Sequence, residues 1–565
     1  MIQLITPYGG TLKNLYQTSP EPMVALRHSW VLSARQLCDT ELLLNGAFSP
    51  LSGFMNEDDY NRVLHEMRLM DHTLWPMPLT LDVTSEFAAS IEIGESIELR
   101  NAEGLLIAHM KVSTRWVADK KIEADCVYGT QDQAHPGVDH LYHRTNETYI
   151  GGTLSGVTPP PHYDFRQSRY TPEQLRNEFI RRGWQRVVAF QTRNPMHRAH
   201  VELTFRAAQQ AEANLLLHPV VGMTKPGDVD HYTRVRCYEH ALHRFPEQTT
   251  MLSLLPLAMR MAGPREALWH AIIRRNYGCS HFIVGRDHAS PGCDSLGNEI
   301  YGTYDAQDLM YKHQEELGIH MIPFQAMVYV EERSEYAPSD EILPDETVRS
   351  ISGTELRRRL REGLDIPDWF TYPEIVTELR RTYPPRYAQG FTVFFTGLSG
   401  SGKSTLANAL LVKLMEVGGR PVSLLDGDIV RTHLSSELGF SKEHRDLNVS
   451  RIGFVASEIT KNRGIAICAP IAPYTATRRE VRQMIEAVGG FVEIHVATPL
   501  SICEARDRKG LYAKARAGLI KDFTGIDDPY EEPESPDLKL DTTDASPEAI
   551  VQLILLKLEA LGYMP

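Results

Sequence analysis

Cysteine is scarce in this chain. The 565 residues hold seven, Cys38, Cys126, Cys237, Cys279, Cys293, Cys468 and Cys503, and no two stand in C-x-x-C spacing. That scatter excludes a zinc-finger ligand set and a disulfide framework, and reads mostly as buried thiols. Also missing is any run of about twenty apolar residues, the length a bilayer span requires. No secretory leader follows Met1-Ile-Gln-Leu4, so the expected compartment is the cytoplasm, with no membrane partner. Positive charge is in deficit too. A formal net charge of −14 argues against a nucleic-acid partner, and anions must be met by local basic pockets. Hydrophobic content of 42% and charged content of 23% are those of an ordinary globular protein, and the length suggests about three to four domains.

The most informative stretch is Gly397-Leu398-Ser399-Gly400-Ser401-Gly402-Lys403-Ser404-Thr405, which fits G-x-x-x-x-G-K-[ST]. It follows an apolar run, Phe391-Thr-Val-Phe-Phe395, that reads as a buried strand. Leu406, Leu410, Leu411 and Leu414 then recur at helical steps until Gly418-Gly419 stops the helix. Strand, glycine loop and helix are the context a phosphate cradle needs, and a chance glycine-rich turn would lack it. Backbone N–H groups and the helix N-terminus converge on the phosphates, Lys403 reaches the β- and γ-phosphates, and the Ser404 hydroxyl can ligate Mg²⁺.

From the N-terminus to about residue 150, short β-type runs alternate with turns: Leu79–Val83, Ile91–Ile93, Ile97–Leu99 and Leu105–Val112. Gly151-Gly152 and Pro159-Pro160-Pro161 read as a loop or linker. From about residue 170 strands alternate with helices. Trp184–Phe190, Leu215–Val221 and Ser280–Gly285 read as strands and His200–Ala213 as a helix, giving a doubly wound α/β pattern whose ligands bind at the carboxyl ends of strands.

Three loops stand at such ends. In Gln191-Thr192-Arg193-Asn194-Pro195-Met196-His197-Arg198-Ala199-His200, Pro195 suits a helix start and places His197 and His200 on one face beside Arg193. The pair could ligate a metal or be isolated surface histidines. The neighbouring arginine and asparagine, and the want of a nearby third ligand, favour polyphosphate binding by neutral or cationic donors. Gly222–Asp228 carries Lys225, with Asp230, His231, Arg234 and Arg236 after it, and Gly285-Arg286-Asp287-His288-Ala289 adds more charge. With Arg260 and Arg265 these basic residues suggest a pocket for two anions.

These loops, together with Val221-Gly-x-Thr-Lys-Pro-Gly-Asp228 and Asn45–Phe54, resemble the ATP sulfurylase family over nearly all of residues 1 to 385. The resemblance implies an α/β multidomain protein: a β-rich PUA-like domain over 1–168, a Rossmann-like nucleotidyltransferase domain over 169–329, and a small α/β subdomain and linker over 330–388. It implies that Thr192, Arg193 and Asn194 are catalytic, that Gln191, Arg193 and Ala289 hold sulfate, and that Gln191, Asn194, His197, His200, Gly285, Arg286, Asp287, His288 and Met327 bind ATP. Ser290 stands where that family usually has glycine.

Beyond Tyr383-Pro-Pro-Arg386, the segments Val422–Asp428, Leu438–Ser441, Asp507–Tyr512 and Phe523–Asp527 make residues 389–565 resemble adenosine-5′-phosphosulfate (APS) kinase, a P-loop kinase domain. That resemblance implies ATP on residues 397–405 and APS on Asp428, Arg431, Phe440, Arg445, Asn448, Lys509 and Phe523. Phe440 would stack on adenine, and Lys509 and Phe523 would belong to a lid. Lys403 and Asp428 are the catalytic expectations there. Ala472 replaces a serine common among relatives, which excludes a phosphoserine intermediate at that position and points to direct in-line transfer. Ser450 and Ile429 replace a common arginine and asparagine, and Asp522 replaces a common glycine.

The expected activity is sulfate activation in two steps. ATP and sulfate give APS and pyrophosphate, then ATP and APS give 3′-phosphoadenosine-5′-phosphosulfate (PAPS) and ADP. Two alternatives stand beside it: a C-terminal domain that only binds PAPS as a regulator, or a sulfurylase run in reverse to make ATP. The intact Lys403 and Ser404 speak against the first alternative. The resemblance also implies a homo-oligomer, with a hexamer as the expected form.

Overall fold

A computed structural model describes residues 4–16, 26–507 and 509–564. The chain forms two compact units. One comprises Met1–Ile351 with Pro367–Glu378, the other Ser352–Ile366 with Leu379–Pro565, so the expected 330–388 subdomain is divided between them.

The first unit opens with a six-stranded sheet, in which Ser29–Val31, Ser96–Arg100, Leu106–Val117, Thr148–Gly156 and Gly53–Phe54 are neighbours in that order and Leu81–Val83 also pairs with Thr148–Gly156. Two readings need correction. Ile91–Ile93 forms no strand. Gly151 and Gly152 are no linker but lie inside the strand Thr148–Gly156, paired with Thr114 and Val112 on one side and, for Gly152, with Phe54 on the other. Their lack of side chains is a packing requirement. A Cβ on Gly151 would strike the Met55 carbonyl oxygen and one on Gly152 the Lys111 carbonyl oxygen, so glycine marks close backbone approach here and not chain flexibility.

The sheet that carries the site is parallel, ordered His320–Phe324, His281–Gly285, Val187–Phe190, Asn214–Leu217 and Thr250–Leu252. Apolar runs build it: Val187–Phe190 is buried at all four positions, as strands covered on both faces must be. Strand order reverses between Val187–Phe190 and His281–Gly285, so the loops after these two strands diverge and open a crevice between them. The helix after the first of them spans Arg198–Gln210 with His197 as its N-cap. Pro195 therefore lies before the cap and not at the helix start, and only His200 of the histidine pair is helical. A small antiparallel sheet of Glu335–Pro338, Met327–Val330 and Val348–Arg349 follows.

In the second unit a parallel sheet runs Val422–Asp426, Ile465–Ala469, Phe391–Thr396, Gly490–Val496 and Leu538–Leu540. Phe391–Thr396 is buried throughout and central. The helix that follows spans Lys403–Val417, and Gly418, at φ +73°, closes it, since the left-handed region favours glycine at helix ends. All seven cysteines are free. Among the described residues no helix is long and apolar enough to cross a membrane.

Candidate functional site

A cavity of about 350 Å³ occupies the crevice at the reversal point of the first unit. Gln191, Thr192, Arg193, Asn194 and His200 line it from one loop, Gly285, Arg286, Asp287, His288 and Ala289 from the other, and Met327 from the small sheet. Residues up to 136 positions apart in the chain, from Gln191 to Met327, thus meet in one space. His197 is not among the lining residues: the residue is 8% exposed, its Nδ1 lies 2.9 Å from the Thr371 hydroxyl, and its ring packs on Phe370 at 4.6 Å between centroids.

The backbone of the first loop is held by its own side chains. The Thr192 hydroxyl donates to the Asn194 carbonyl and accepts the Asn194 N–H, both at 3.1 Å, and the Tyr238 hydroxyl donates to the same carbonyl at 2.8 Å. His200 Nδ1 accepts the His197 backbone N–H at 3.1 Å, which leaves Nε2 as the proton-bearing nitrogen of a neutral ring. Burial pushes the His200 imidazole down to about 4, and burial followed by repulsion from His200 pushes His197 down to about 3. Burial thus holds both rings neutral at physiological pH. In the second loop, Asp287 and Ala289 adopt left-handed backbone at φ +53° and +54°. Ser290 does not, so it makes no use of the glycine freedom that position has elsewhere.

Positive charge at the cavity comes from Arg193, paired with Asp228, and from Arg286, 3.0 Å from Asp287. The other basic residues expected to face two anions do not line it. Arg234 is 1% exposed and bonds the Val229 and Val220 carbonyls. Arg236 pairs with Glu378 at 2.5 Å, Arg260 with Asp39 at 2.5 Å, and Arg265 bonds the Val63 and Leu64 carbonyls. Lys225 reaches the Pro291 carbonyl at 2.6 Å. These cations bind protein oxygens across the core and rim. Sequence position alone could not separate such struts from lining residues.

The second unit carries its own polar cluster. Gly397, Gly400 and Gly402 all have positive φ, which lets the phosphate loop curl around its centre. Lys403 is 7% exposed and donates to the Gly397 and Leu398 carbonyls at 2.9 and 2.7 Å. Its burial pushes the ammonium down to about 8. The Ser404 hydroxyl donates to Asp426 at 2.7 Å. That carboxylate, at the end of Val422–Asp426, went unassigned in the sequence because Asp428 stands two residues on. Asp428 is exposed and ion-paired with Lys509.

Arg431 lies 4.5 Å from the Phe440 ring centre, with Phe440 65% exposed. Arg445 bonds the Thr524 hydroxyl at 2.6 Å and Asp528 at 2.9 Å, yet its Nε and Nη2, and the Oδ1 of nearby Asn448, are buried without partners. Buried polar atoms of this kind call for an explanation. Phe523 packs on Tyr512 at 5.0 Å. Ala472 is 2% exposed at φ +46°, and its carbonyl accepts from Thr396 and Arg478. No hydroxyl is available at that position. Asp522 adopts φ +55°, a conformation that accounts for glycine being common there. Nothing in the structure explains Ser450 or Ile429.

Comparison with known proteins matches residues 5–159 to the PUA-like domain, 166–382 to ATP-sulfurylase and 389–541 to adenylylsulphate kinase. A protein of Mycosarcoma maydis named sulfate adenylyltransferase is 55% identical over 98% of this chain and 99% of its own length. One of the same name from Yarrowia lipolytica is 51% identical over 99% of each. The solved structure described as a hexameric APS kinase from Thiobacillus denitrificans is 45% identical, covers 100% of both chains and superposes with a TM-score of 0.82.

Proposed function

The chain belongs to the sulfate adenylyltransferase family, and on that premise we propose that it activates sulfate in two steps, forming APS in the first unit and phosphorylating it to PAPS in the second. The observation that carries this reading is that one chain holds both a polar cavity at the reversal point of a nucleotidyltransferase sheet and a phosphate loop with its lysine and serine intact.

In the first step a sulfate oxygen attacks the α-phosphorus of ATP and pyrophosphate leaves. Sulfate is a weak nucleophile meeting a polyanion, so the protein's part is alignment and charge stabilisation, with no general base required. Gln191, Arg193 and Ala289 hold sulfate, and Arg193 exchanges Asp228 for the incoming anion. Thr192, Arg193 and Asn194 bear on the transferring phosphorus. His200 offers a neutral N–H donor to the triphosphate, His197 supports it from behind by donating its backbone N–H to His200 Nδ1, and Gly285, Arg286, Asp287, His288 and Met327 hold the nucleotide.

In the second step the APS 3′-hydroxyl attacks the γ-phosphorus of a second ATP. Asp428 accepts the hydroxyl proton once Lys509 releases it, and Lys403 turns from its loop carbonyls to the β- and γ-phosphates. Arg431, Arg445 and Asn448 bind APS, Phe440 stacks on its adenine, and Phe523 and Lys509 close over it. Mg²⁺ accompanies ATP. Ser404 and Asp426 supply the hard oxygen donors that suit it, and once bound it neutralises charge on the transferring phosphates. With Ala472 offering no hydroxyl, transfer is direct.

Assembly follows the hexameric relative, and light scattering of a monomer would contradict that. Each half is tested separately: sulfate-dependent pyrophosphate release must vanish in Arg193→Ala, and ADP formation from ATP and supplied APS must vanish in Lys403→Ala. Turnover persisting in either variant contradicts that site's assignment.

A further inference from the structure

One helix behind the cavity carries Glu266 and His270, one turn apart and both 0% exposed. Glu266 Oε1 lies 3.3 Å from His270 Nε2, and the carboxylate also accepts the backbone N–H of Arg260 at 2.9 Å and of Ala262 at 2.8 Å. Burial pushes the Glu266 carboxyl up, but these bonds outweigh it, and the group stays ionised. An ionised carboxylate takes a proton-bearing nitrogen, so His270 Nε2 carries the hydrogen. Burial keeps the ring neutral, and Nδ1 holds a lone pair.

Two cavity-lining residues touch that ring. His288 Nε2 stands 3.0 Å from His270 Nδ1, and therefore donates to it. On the other side Gln191 Nε2 stands 3.4 Å from His270 Nε2, while Gln191 Oε1 is buried without a partner. His270 Nε2 has a single proton and Glu266 takes it, so Gln191 is not held by this ring.

We propose that His270 is a positioning residue for adenylyl transfer: its Nδ1, left with a lone pair because Glu266 takes the Nε2 proton, fixes the His288 ring on the nucleotide side of the cavity. One buried ring, set by Glu266, thus orients a residue of the cavity wall. This inference rests on the two-step reading above.

The two nitrogens can be removed separately in the full-length protein. His270→Gln keeps an amide N–H near the Nε2 place and nothing at Nδ1, and His270→Asn keeps an acceptor near the Nδ1 place and nothing at Nε2. Pyrophosphate release is measured at varied sulfate and varied MgATP, with thermal melts as the check on folding. His270→Gln is expected to raise the ATP KM roughly tenfold and hold the sulfate KM within about twofold, and His270→Asn, which keeps the acceptor for His288, to hold both within about twofold. An unchanged ATP KM in His270→Gln, or an equal rise of the ATP KM in both variants, overturns the proposal. If neither variant folds, ¹⁵N-histidine spectra of the unmodified chain decide, with His288 identified through His288→Gln and His270 by its coupling to it. A His270 ring protonated at Nε2 supports the proposal, and one protonated at Nδ1 overturns it. Unmodified protein that releases no pyrophosphate would instead sink the two-step reading.

Discussion

Thr371→Val is the sharpest single perturbation of the first site. Thr371 is fully buried, and its hydroxyl, 2.9 Å from His197 Nδ1, is the one side-chain partner seen for that ring nitrogen among the described residues. Valine fills the same volume without the hydroxyl. His197, already neutral with its imidazole pushed down to about 3 by burial, is then left with an unpaired ring nitrogen in a dry environment. Such a group costs about 1–3 kcal/mol. The loss appears in denaturant unfolding of the full chain as a lower midpoint of the first transition. It also appears in adenylyl transfer, because His197, whose backbone N–H holds the cavity-lining His200 ring at 3.1 Å, no longer keeps that donor in place. The ATP KM rises roughly tenfold, equivalent to about 1.4 kcal/mol, while Thr371→Ser, which keeps the hydroxyl, stays near the unmodified protein. The reasoning is refuted if Thr371→Val unfolds at the same denaturant concentration and turns over with an unchanged ATP KM.

Acid should destabilise the first unit early. His197, His200 and His288 are pushed down to about 3, 4 and 3 from 6.5, so the unfolded chain binds their protons first, and stability present above pH 6.5 is lost as pH falls toward 4. Unfolding followed by fluorescence checks this, and a flat midpoint from pH 7 to 5 contradicts it. Lys403, held at about 8 by burial, must be charged to meet a triphosphate. In the kinase half-reaction kcat/KM for MgATP therefore falls roughly tenfold for each pH unit above 8, and Lys403→Arg removes that break. Gly151→Ala forces a Cβ onto the Met55 carbonyl oxygen and costs about 1–3 kcal/mol, visible as a lowered melting temperature.

The second unit was the more legible of the two. A phosphate loop is local: strand, turn and helix are consecutive, and the residues that carry the chemistry are those that carry the motif, so Phe391–Thr396 and Lys403–Val417 fall where periodicity places them. Glycine misled where its reason was non-local. Gly151 and Gly152 read as a linker because glycine usually punctuates loops, yet the demand on them comes from Met55 and Lys111, far away in the chain.

The cavity loops were legible as strand-end motifs, but their supports were not. Thr371 and Phe370 sit about 170 positions from His197, and Glu266 and His270 lie in a mostly buried helix with no motif around them. Charge misled in the same way. Arg234, Arg236, Arg260 and Arg265 look like an anion pocket in sequence, and each binds a protein oxygen instead. The recognisable signal for such struts is a carboxylate or carbonyl partner, which only the fold supplies.

The central claim is that both units act in series, and labelled sulfate tests it most directly. The purified chain is incubated with ATP, Mg²⁺, labelled sulfate and pyrophosphatase, and the products are separated. The account predicts labelled PAPS from the unmodified chain and labelled APS alone from Lys403→Ala. APS as the sole product of the unmodified chain would contradict it and leave the second unit as a binding module.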